Sequence, residues 1–287
     1  MRDNTRYLSE DRLRDLTELR ALKKLINIIK TDPKQRFQFE IRHDNFTVYY
    51  EGGALCNIKY LKKSKKYAIK FDLKYCNNQG KESVNRQTIE TIIDNLDLDA
   101  FVDNLDLIIA EMDAWFLKHP KAERRNQQLL CKRFRQPNDV IWLLDIEFGV
   151  KRDARFDMLG VDNDGNVKII ELKVGTGAIS SNPKRGTDKL ESGLYKHYLD
   201  FLELVSKEEW RKAIIETAKN SIYIRKKLGL PTFEGELNTS LDSIQFEIWL
   251  AEYTDTADYE RELKKIEAVG GSEKMIKINE PYFSGIE

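Results

Sequence analysis

The hydrophobic pattern of the N-terminal part changes from a helical period to a strand period. Leucines recur at helical spacing from Leu13 to Leu25, which predicts a helix over residues 9–30 that Pro33 ends. Apolar and polar residues then alternate, which predicts an antiparallel meander of about four strands with one apolar face. The clearest of these strands covers residues 67–75.

A helical stretch is predicted to follow the meander, over residues 82–117, with a break near Leu98. Pro120 comes directly after it and marks a change in pattern. We therefore predict two domains, an N-terminal α+β domain over residues 1–118 and a second domain over residues 119–287.

The second domain alternates between helices and strands. Asn163, Asp164 and Gly165 lie between two alternating runs, which is a strong signal for a β-hairpin. Asp188 and Glu191 have the spacing of a capping box and predict a helix that starts there. Strands are predicted at 140–150, 155–162, 166–174, 243–253 and 275–278, and helices at 121–134, 188–205, 208–227 and in the charged segment before the last strand. The expected class is α/β, with a mixed C-terminal sheet flanked by helices.

Composition narrows the class of protein. The chain has 287 residues, and 48 Lys and Arg are balanced by 48 Asp and Glu, so the formal net charge is zero. A hydrophobic fraction of 41% supports a folded core and argues against global disorder. Zero net charge excludes binding through bulk polycation character, but it leaves local basic patches open.

The sequence also limits where the protein is expected to act and which metal sites it can form. No apolar run approaches the roughly 20 residues of a membrane helix, and no signal peptide is visible, so no membrane contact is expected. Cys56, Cys76 and Cys131 are widely spaced and form no zinc motif. Their number and spacing predict reduced thiols, and we therefore expect a cytoplasmic location.

Two carboxylates and one ammonium group are predicted to meet in the hairpin over residues 155–174. Asp157 lies near the start of the first strand and Glu171 near the end of the second, so an antiparallel pair brings them side by side. Strand alternation places Lys173 on the same face as Glu171. Two carboxylates suit a hard cation such as Mg²⁺ or Mn²⁺, which would favour metal-assisted phosphodiester cleavage, with the lysine acting on the attacking water.

These residues resemble a known family. Arg-Phe-Asp-x-Leu-Gly-x-Asp, then Asp-Gly, then Ile-Ile-Glu-Leu-Lys is similar to the core of the PD-(D/E)XK nuclease superfamily, over about residues 120–253. The resemblance implies a restriction-endonuclease-like fold and a metal-dependent nuclease. It also implies that Asp157 and Glu171 bind the metal, that Lys173 is the catalytic lysine, and that Glu123, on the preceding helix, assists.

The sequence departs from the superfamily pattern at two places. Phe156 stands where the motif has proline. Many members carry a glutamine and a tyrosine on the helix after the motif, and here Tyr195 is present without the glutamine. Lys196 or His197 could take its place, while helical spacing also suits a buried core histidine. Glu147, on the preceding strand, is a further candidate metal ligand.

Basic clusters are the candidate nucleic-acid contacts. Arg124 and Arg125 lie on the helix before the motif, Lys184 and Arg185 in the loop after it, and Lys196 on the next helix. A second cluster lies in the N-terminal domain: Lys62, Lys63, Lys65, Lys66, Lys70 and Lys74. Each cluster can contact phosphate or can simply be a solvated face. The resemblance implies DNA over RNA as a partner, and a possible homodimer.

Three alternatives remain open. Asp162, Asp164, Gly165 and Glu171 match part of a calcium-binding loop, but the flanking segments read as strands. Gly175 and Gly177 suggest a dinucleotide fingerprint, which Pro183 interrupts. The third alternative keeps the nuclease-like fold without activity, as a nucleic-acid-binding or assembly module.

Overall fold

The computed structural model describes residues 5–72, 75, 88–93, 95–119, 122–135, 140–151, 154–175, 179–182, 190, 192–251, 257–271 and 274–278. The chain forms two compact units. Residues 6–128 and 220–231 form the meander unit, and residues 1–5, 129–219 and 232–287 form the mixed-sheet unit. The boundary predicted at residue 118 stays a prediction.

The meander unit begins with two helices where one was predicted. Helix α1 spans Glu10–Glu18 and helix α2 spans Arg20–Thr31. Leu19 separates them in an extended conformation, with φ −68° and ψ 121°, and it packs against the core. A one-residue break keeps the leucine spacing nearly intact, so the periodicity did not reveal it.

Five antiparallel strands follow in chain order. They are β1 Phe37–Ile41, β2 Asn45–Tyr50, β3 Gly53–Leu61, β4 Lys66–Asp72 and β5 Thr88–Ile93. The antiparallel meander is confirmed, but the helix predicted from residue 82 is wrong for β5. This segment reads Thr-Ile-Glu-Thr-Ile-Ile, and its β-branched residues favour a strand that pairs with β4.

Two further helices cover the core of the meander unit. Helix α3 spans Asn95–Asp103 and helix α4 spans Leu105–Lys118, so the predicted break near Leu98 falls at Asn104 instead. The leucines of α2 lie in one apolar cluster with Phe37, Phe39, Phe46 and Tyr50 of β1 and β2, and Leu22 and Leu25 are fully buried there.

The mixed-sheet unit contains the second five-stranded sheet. Its strands are β6 Ile141–Lys151, β7 Ala154–Asp162, β8 Val167–Val174, β9 Gln245–Ala251 and β10 Lys274–Ile278, in the spatial order β10-β9-β8-β7-β6. Strands β6 to β8 are antiparallel, whereas β9 and β10 add in parallel. The mixed sheet is therefore confirmed, and β8 is its central strand.

Four helices accompany this sheet. They are α5 Ala122–Arg133, α6 Leu194–Val205, α7 Glu208–Leu228 and α8 Ala257–Ala268. Helices α5 and α7 each contribute residues to both units. No helix in the described part of the chain has the length and apolar character that crossing a membrane requires.

Helix α6 begins later than its predicted capping box implied. Gly193, with φ 99°, directly precedes the first helical residue, Leu194. A Cβ atom at this glycine would lie 2.4 Å from the Cα atom of Ser181, so the close approach requires glycine. Asp188 and Glu191 lie outside the described residues.

The turn between β7 and β8 forms where it was predicted. Gly165 donates its N–H to the carbonyl of Asp162 at 3.0 Å, and the Asp162 carboxylate accepts the N–H groups of Asp164 and Asn166. Gly165 has φ 81°. The flanking segments are strands, which removes the helix–loop–helix context that a calcium-binding EF-hand requires.

A buried ionic cluster joins β8 to β9. Lys168 is only 4% exposed, and its ammonium group lies 2.9 Å from Asp162 and 3.5 Å from Glu247 and also binds Gln245. Glu247 accepts a further hydrogen bond from the indole of Trp249 at 3.0 Å. A buried charge needs such compensation, because removing it from water is costly.

We expect Glu247→Gln to lower the free energy of unfolding by roughly 2 kcal/mol, because Lys168 keeps Asp162 but loses part of its compensation. Urea unfolding measures this as a lower midpoint with an unchanged slope of free energy against urea concentration. An unchanged midpoint would show that Glu247 does not compensate the buried ammonium.

Candidate active site

The candidate site is centred on β8. Glu171 is 3% exposed, and the ammonium of Lys173 donates to its Oε1 atom at 2.6 Å. The two residues are separated by one position, so they share a face of the strand, as predicted. Burial of the pair makes the ionic interaction less screened than it would be at the surface.

Asp157 reaches β8 from the neighbouring strand. The ladder between β7 and β8 ends at the pair Met158–Ile170, and one further step would place Asp157 opposite Glu171. At that step the N–H of Leu172 donates to the Oδ2 atom of Asp157 at 2.7 Å. The Asp157 carboxylate therefore binds the backbone between Glu171 and Lys173, which brings the three predicted residues to one segment.

The opposite neighbour of Asp157 on β6 is Glu147. The flanking ladder pairs are Ile146–Met158 and Phe148–Phe156. Glu147 has φ +51°, a left-handed conformation that costs roughly 1–2 kcal/mol for a residue with a side chain. Such outliers are enriched at functional sites. Across the described residues, however, no three His, Cys, Asp or Glu side chains form a group that could hold a metal ion, so Glu147 does not complete such a set.

His197 on α6 is the second partner of Glu171. Its Nε2 atom lies 3.1 Å from the Oε1 atom that Lys173 also binds. Burial, together with the positive charges of Lys173 and Lys196, lowers the pKa of His197 to about 3, so the ring is neutral at pH 7. A neutral ring beside a carboxylate carries its proton on Nε2 and donates it to Glu171.

The other ring nitrogen of His197 has a different environment. Its Nδ1 atom is buried and receives no hydrogen bond from the described residues. The sequence placed His197 on a helix face that also suits a core histidine, and the contact with Glu171 assigns it to the site. Sequence spacing alone could not separate the two roles.

Helix α6 is held at its N-terminus by groups from elsewhere in the mixed-sheet unit. Three acceptors bind its first N–H groups: the carbonyl of Ile179 binds Leu194 at 2.9 Å, the Glu262 carboxylate binds Tyr195 at 3.3 Å, and the Ser181 hydroxyl binds Lys196 at 3.3 Å. A carboxylate near a helix N-terminus is favourable, because the exposed N–H groups carry partial positive charge. These contacts fix the helix that carries His197.

Glu262 was not identified from the sequence. It lies on α8, is fully buried, and also binds Lys265 at 2.6 Å. It is 67 positions away in sequence from its helical partner, so no local motif reports the contact. Sequence reasoning assigned this role to Asp188, a residue near the helix in sequence.

The structure describes the side chains of only some residues that were predicted to contact nucleic acid. Lys196 is ion-paired with Asp200 one turn along α6, and Arg125 lies 3.7 Å from Glu51. Arg124 and Glu123 are on α5, but their side chains lie outside the described part of the chain, as do Lys184 and Arg185. The roles of these residues stay predictions.

The donor chemistry of the site fits a hard divalent cation in part. Asp157 and Glu171 supply carboxylate oxygens, the ligands that Mg²⁺ and Mn²⁺ prefer, and Mg²⁺ usually keeps several waters beside one or two carboxylates. Lys173 and His197 supply N–H donors at the same carboxylate. A divalent cation held by these carboxylates would lie next to the ammonium group of Lys173.

Comparisons with known proteins identify no family. No family model matches the chain, and no curated protein matches it. Among solved structures, a repair endonuclease from Pyrococcus abyssi aligns over 90% of this chain and 94% of that chain, at 11% identity and a TM-score of 0.21.

Glu262 also makes the stability of the unit depend on pH. Burial raises its pKa, but hydrogen bonds from Lys265, Ser181 and the Tyr195 N–H outweigh burial and hold the pKa below its ordinary value. The folded protein therefore binds this proton less tightly than the unfolded chain. The stabilisation is present above about pH 4.3 and is lost as the pH falls through the folded pKa.

We expect Glu262→Gln to lower the free energy of unfolding by about 1–2 kcal/mol at pH 7, because α6 loses its buried anion. The difference from the wild type should shrink as the pH falls below about 4. Urea unfolding at several pH values measures both effects, and a difference that does not vary with pH would contradict the role of the ionised carboxylate.

Proposed function

We propose that the chain is a Mg²⁺- or Mn²⁺-dependent nuclease of the PD-(D/E)XK type that hydrolyses phosphodiester bonds in DNA. The observation that carries the proposal is the hydrogen bond from Leu172 to Asp157, which brings this carboxylate to the strand segment of Glu171 and Lys173. A surface hairpin with scattered charges would not bury Glu171 to 3% exposure.

Asp157 and Glu171 are the residues that would hold the cation. When bound, the cation would stabilise negative charge on the scissile phosphate and lower the pKa of an attacking water. Asp157 is preorganised by the Leu172 N–H, which fixes one of its carboxylate oxygens. Glu123 is proposed to assist from α5, as the resemblance implies.

Lys173 is proposed to act on the water and on the developing charge. Its ammonium already lies 2.6 Å from Glu171, and its side chain is only 11% exposed, so its position is restricted. An ammonium held in this way can orient a water molecule and can neutralise negative charge that forms on phosphate oxygens. When the Lys173 ammonium turns from Glu171 to the substrate, the Glu171 carboxylate loses one hydrogen-bond donor and needs another.

His197 supplies that donor in our proposal. It donates to the Oε1 atom of Glu171 as a neutral group, so it orients the carboxylate without competing for its negative charge as an ammonium does. Groups that orient metal-binding carboxylates commonly affect metal affinity by about 10- to 100-fold. His197 is therefore proposed as a positioning residue.

DNA is proposed over RNA because of the superfamily resemblance. Arg124, Arg125, Lys184, Arg185 and Lys196 are the proposed phosphate contacts. An intracellular site of action suits this substrate. Cys56 and Cys131 are both buried, and burial raises the pKa of the Cys56 thiol to about 12, which makes it unreactive.

A catalytically silent nuclease-like fold is the second candidate. The close Lys173–Glu171 ion pair favours it, because such a pair can be structural and can neutralise a metal-binding acid. The two candidates differ in whether divalent cations bind at Glu171 and in whether DNA is cut.

We expect Lys173→Ala to reduce Mg²⁺-dependent cleavage of DNA by about 100-fold or more, because the ammonium beside the reacting phosphate is lost. DNA binding in the absence of divalent cations should stay within a few fold of the wild type. Gel-based cleavage of single- and double-stranded DNA and RNA, with Mg²⁺ or Mn²⁺, measures the first effect.

Glu171→Gln and Glu247→Gln form a matched pair of variants for the same assay. Both remove a buried carboxylate from neighbouring strands, but only Glu171 is proposed to hold the cation. Glu171→Gln should abolish cleavage, whereas folded Glu247→Gln should retain it. If the wild-type protein cuts none of these substrates with either cation, or if both variants cut equally, the nuclease proposal fails.

The role of His197 is tested by two substitutions. We expect His197→Leu to raise the Mg²⁺ concentration for half-maximal cleavage by about 10-fold, because Glu171 loses an orienting donor. His197→Gln keeps an N–H donor and should recover most of the affinity. Calorimetric titration with Mn²⁺ checks the same order without substrate. If both variants bind the metal as tightly as the wild type does, His197 serves core packing alone.

A further inference from the structure

The β3–β4 hairpin of the meander unit carries a concentrated positive charge. Residues 52–71 contain six lysines and no aspartate or glutamate, although the whole chain has zero net charge. We call the lysines of this segment the lysine hairpin: Lys59, Lys62, Lys63, Lys65, Lys66 and Lys70. Those from Lys59 to Lys66 are exposed.

Several exposed lysines elsewhere in the chain have acidic partners. Examples are Lys24 with Asp103, Lys212 with Glu208 and Lys219 with Glu216. In the lysine hairpin, by contrast, Lys59, Lys62, Lys63 and Lys65 form no ion pair or hydrogen bond through their side chains with any described residue. These four ammonium groups are therefore not paired with any acid among the described residues.

The ladder explains why Lys59 has no acidic partner across the strands. Its neighbour on β2 is Asn45, and its neighbour on β4 is Ala68. Opposite charges at these two positions would stabilise the sheet, so a solvated strand face would benefit from them. Because neither position carries an acid, the ammonium group of Lys59 is available to a binding partner.

The backbone of the turn gives a separate argument. Lys65 has φ +54° and donates its N–H to the carbonyl of Leu61 at 2.9 Å, which closes the hairpin. Glycine or asparagine is favoured at such a left-handed position, because a larger side chain is strained there. The protein has a lysine where the turn alone favours glycine, so turn stability does not account for this residue.

Clustered ammonium groups without acidic partners suit a polyanion. Lysine binds phosphate oxygens as a point charge, and a run of such contacts releases condensed counterions from nucleic acid. Basic surfaces that bind membranes usually add apolar side chains that insert into the lipid. The large apolar residues found exposed in the described parts of the chain all lie outside this hairpin. A nucleic-acid backbone is therefore the better fit.

We propose that the lysine hairpin is a nucleic-acid-binding surface that contacts backbone phosphates without sequence preference. The class of partner rests on the proposed nuclease function, whereas the charged surface itself does not. Most of the affinity gained here is electrostatic, so it falls steeply with salt concentration. The meander unit thereby contributes to binding the substrate.

The test compares two triple substitutions that change the net charge equally. Lys62→Ser, Lys63→Ser and Lys65→Ser remove three unpaired lysines of the hairpin, and Lys24→Ser, Lys212→Ser and Lys219→Ser remove three lysines with acidic partners. Fluorescence anisotropy with a labelled DNA duplex is measured in EDTA, so that cleavage cannot interfere.

We expect the hairpin variant to bind DNA roughly 100-fold more weakly at about 0.1 M salt. The slope of log affinity against log salt concentration should become shallower by about 2 to 3, since each lost phosphate contact contributes about 0.9. The control variant should stay within a few fold of the wild type. If the two variants lose affinity equally, or if neither loses affinity, the proposal is overturned.

A single substitution separates binding from stability. We expect Lys65→Gly to raise the midpoint of thermal unfolding, because glycine accepts the left-handed backbone, and to weaken DNA binding by about 5-fold. A residue with only a structural role would not change these two quantities in opposite directions. Lower stability together with unchanged binding would contradict the proposal.

The same variants distinguish this proposal from the nuclease proposal. Hairpin-dependent binding by a protein that does not cut DNA supports the surface and removes the nuclease. Cleavage and binding that do not depend on the hairpin support the nuclease and remove the surface. Phosphatidylserine vesicles provide the last comparison, and hairpin-dependent vesicle binding without DNA binding would overturn the choice of nucleic acid.

Discussion

The buried carboxylate of Glu171 is the group on which the mixed-sheet unit depends. A charge with 3% exposure on the central strand needs donors, and Lys173 and His197 supply them at the same oxygen. His197 can do so only because α6 begins at a fixed place. Glu262 is one of the three acceptors that fix this place, and it is itself a buried carboxylate that binds the helix N-terminus. One buried anion thus requires a second one.

Strand β8 carries two ionic groups of residues with different organisation. Around Lys168, the charges of Asp162 and Glu247 and the amide of Gln245 surround one ammonium, an arrangement that suits a structural role. At Glu171 the surrounding donors are cationic or neutral N–H groups, and the second carboxylate comes from Asp157. A cation can replace a lysine at such a carboxylate, whereas it has no comparable place around Lys168. The two groups differ in the charge at their centre, which is positive at Lys168 and negative at Glu171.

Much of the fold could be predicted because local patterns coincide with tertiary structure. The β7–β8 hairpin follows from its alternation and from the Asp-Gly turn, and it brings Asp157 to the segment of Glu171 and Lys173. Strand β5 was not predicted, although its β-branched residues favour a strand, because its glutamate and mixed apolar pattern also suit a helix until β4 offers a partner. The start of α6 also escaped prediction, because Gly193 and Glu262 act through contacts that are distant in sequence.

The central claim is that Asp157 and Glu171 form a cation site next to Lys173. A crystal structure of the protein soaked in Mn²⁺ tests it directly, since the anomalous signal of manganese locates the ion without assumptions about activity. The account predicts an anomalous peak in contact with the carboxylates of Asp157 and Glu171, with the ammonium of Lys173 moved away from Glu171. A Mn²⁺-soaked crystal that shows no peak there and retains the 2.6 Å Lys173–Glu171 contact would contradict it.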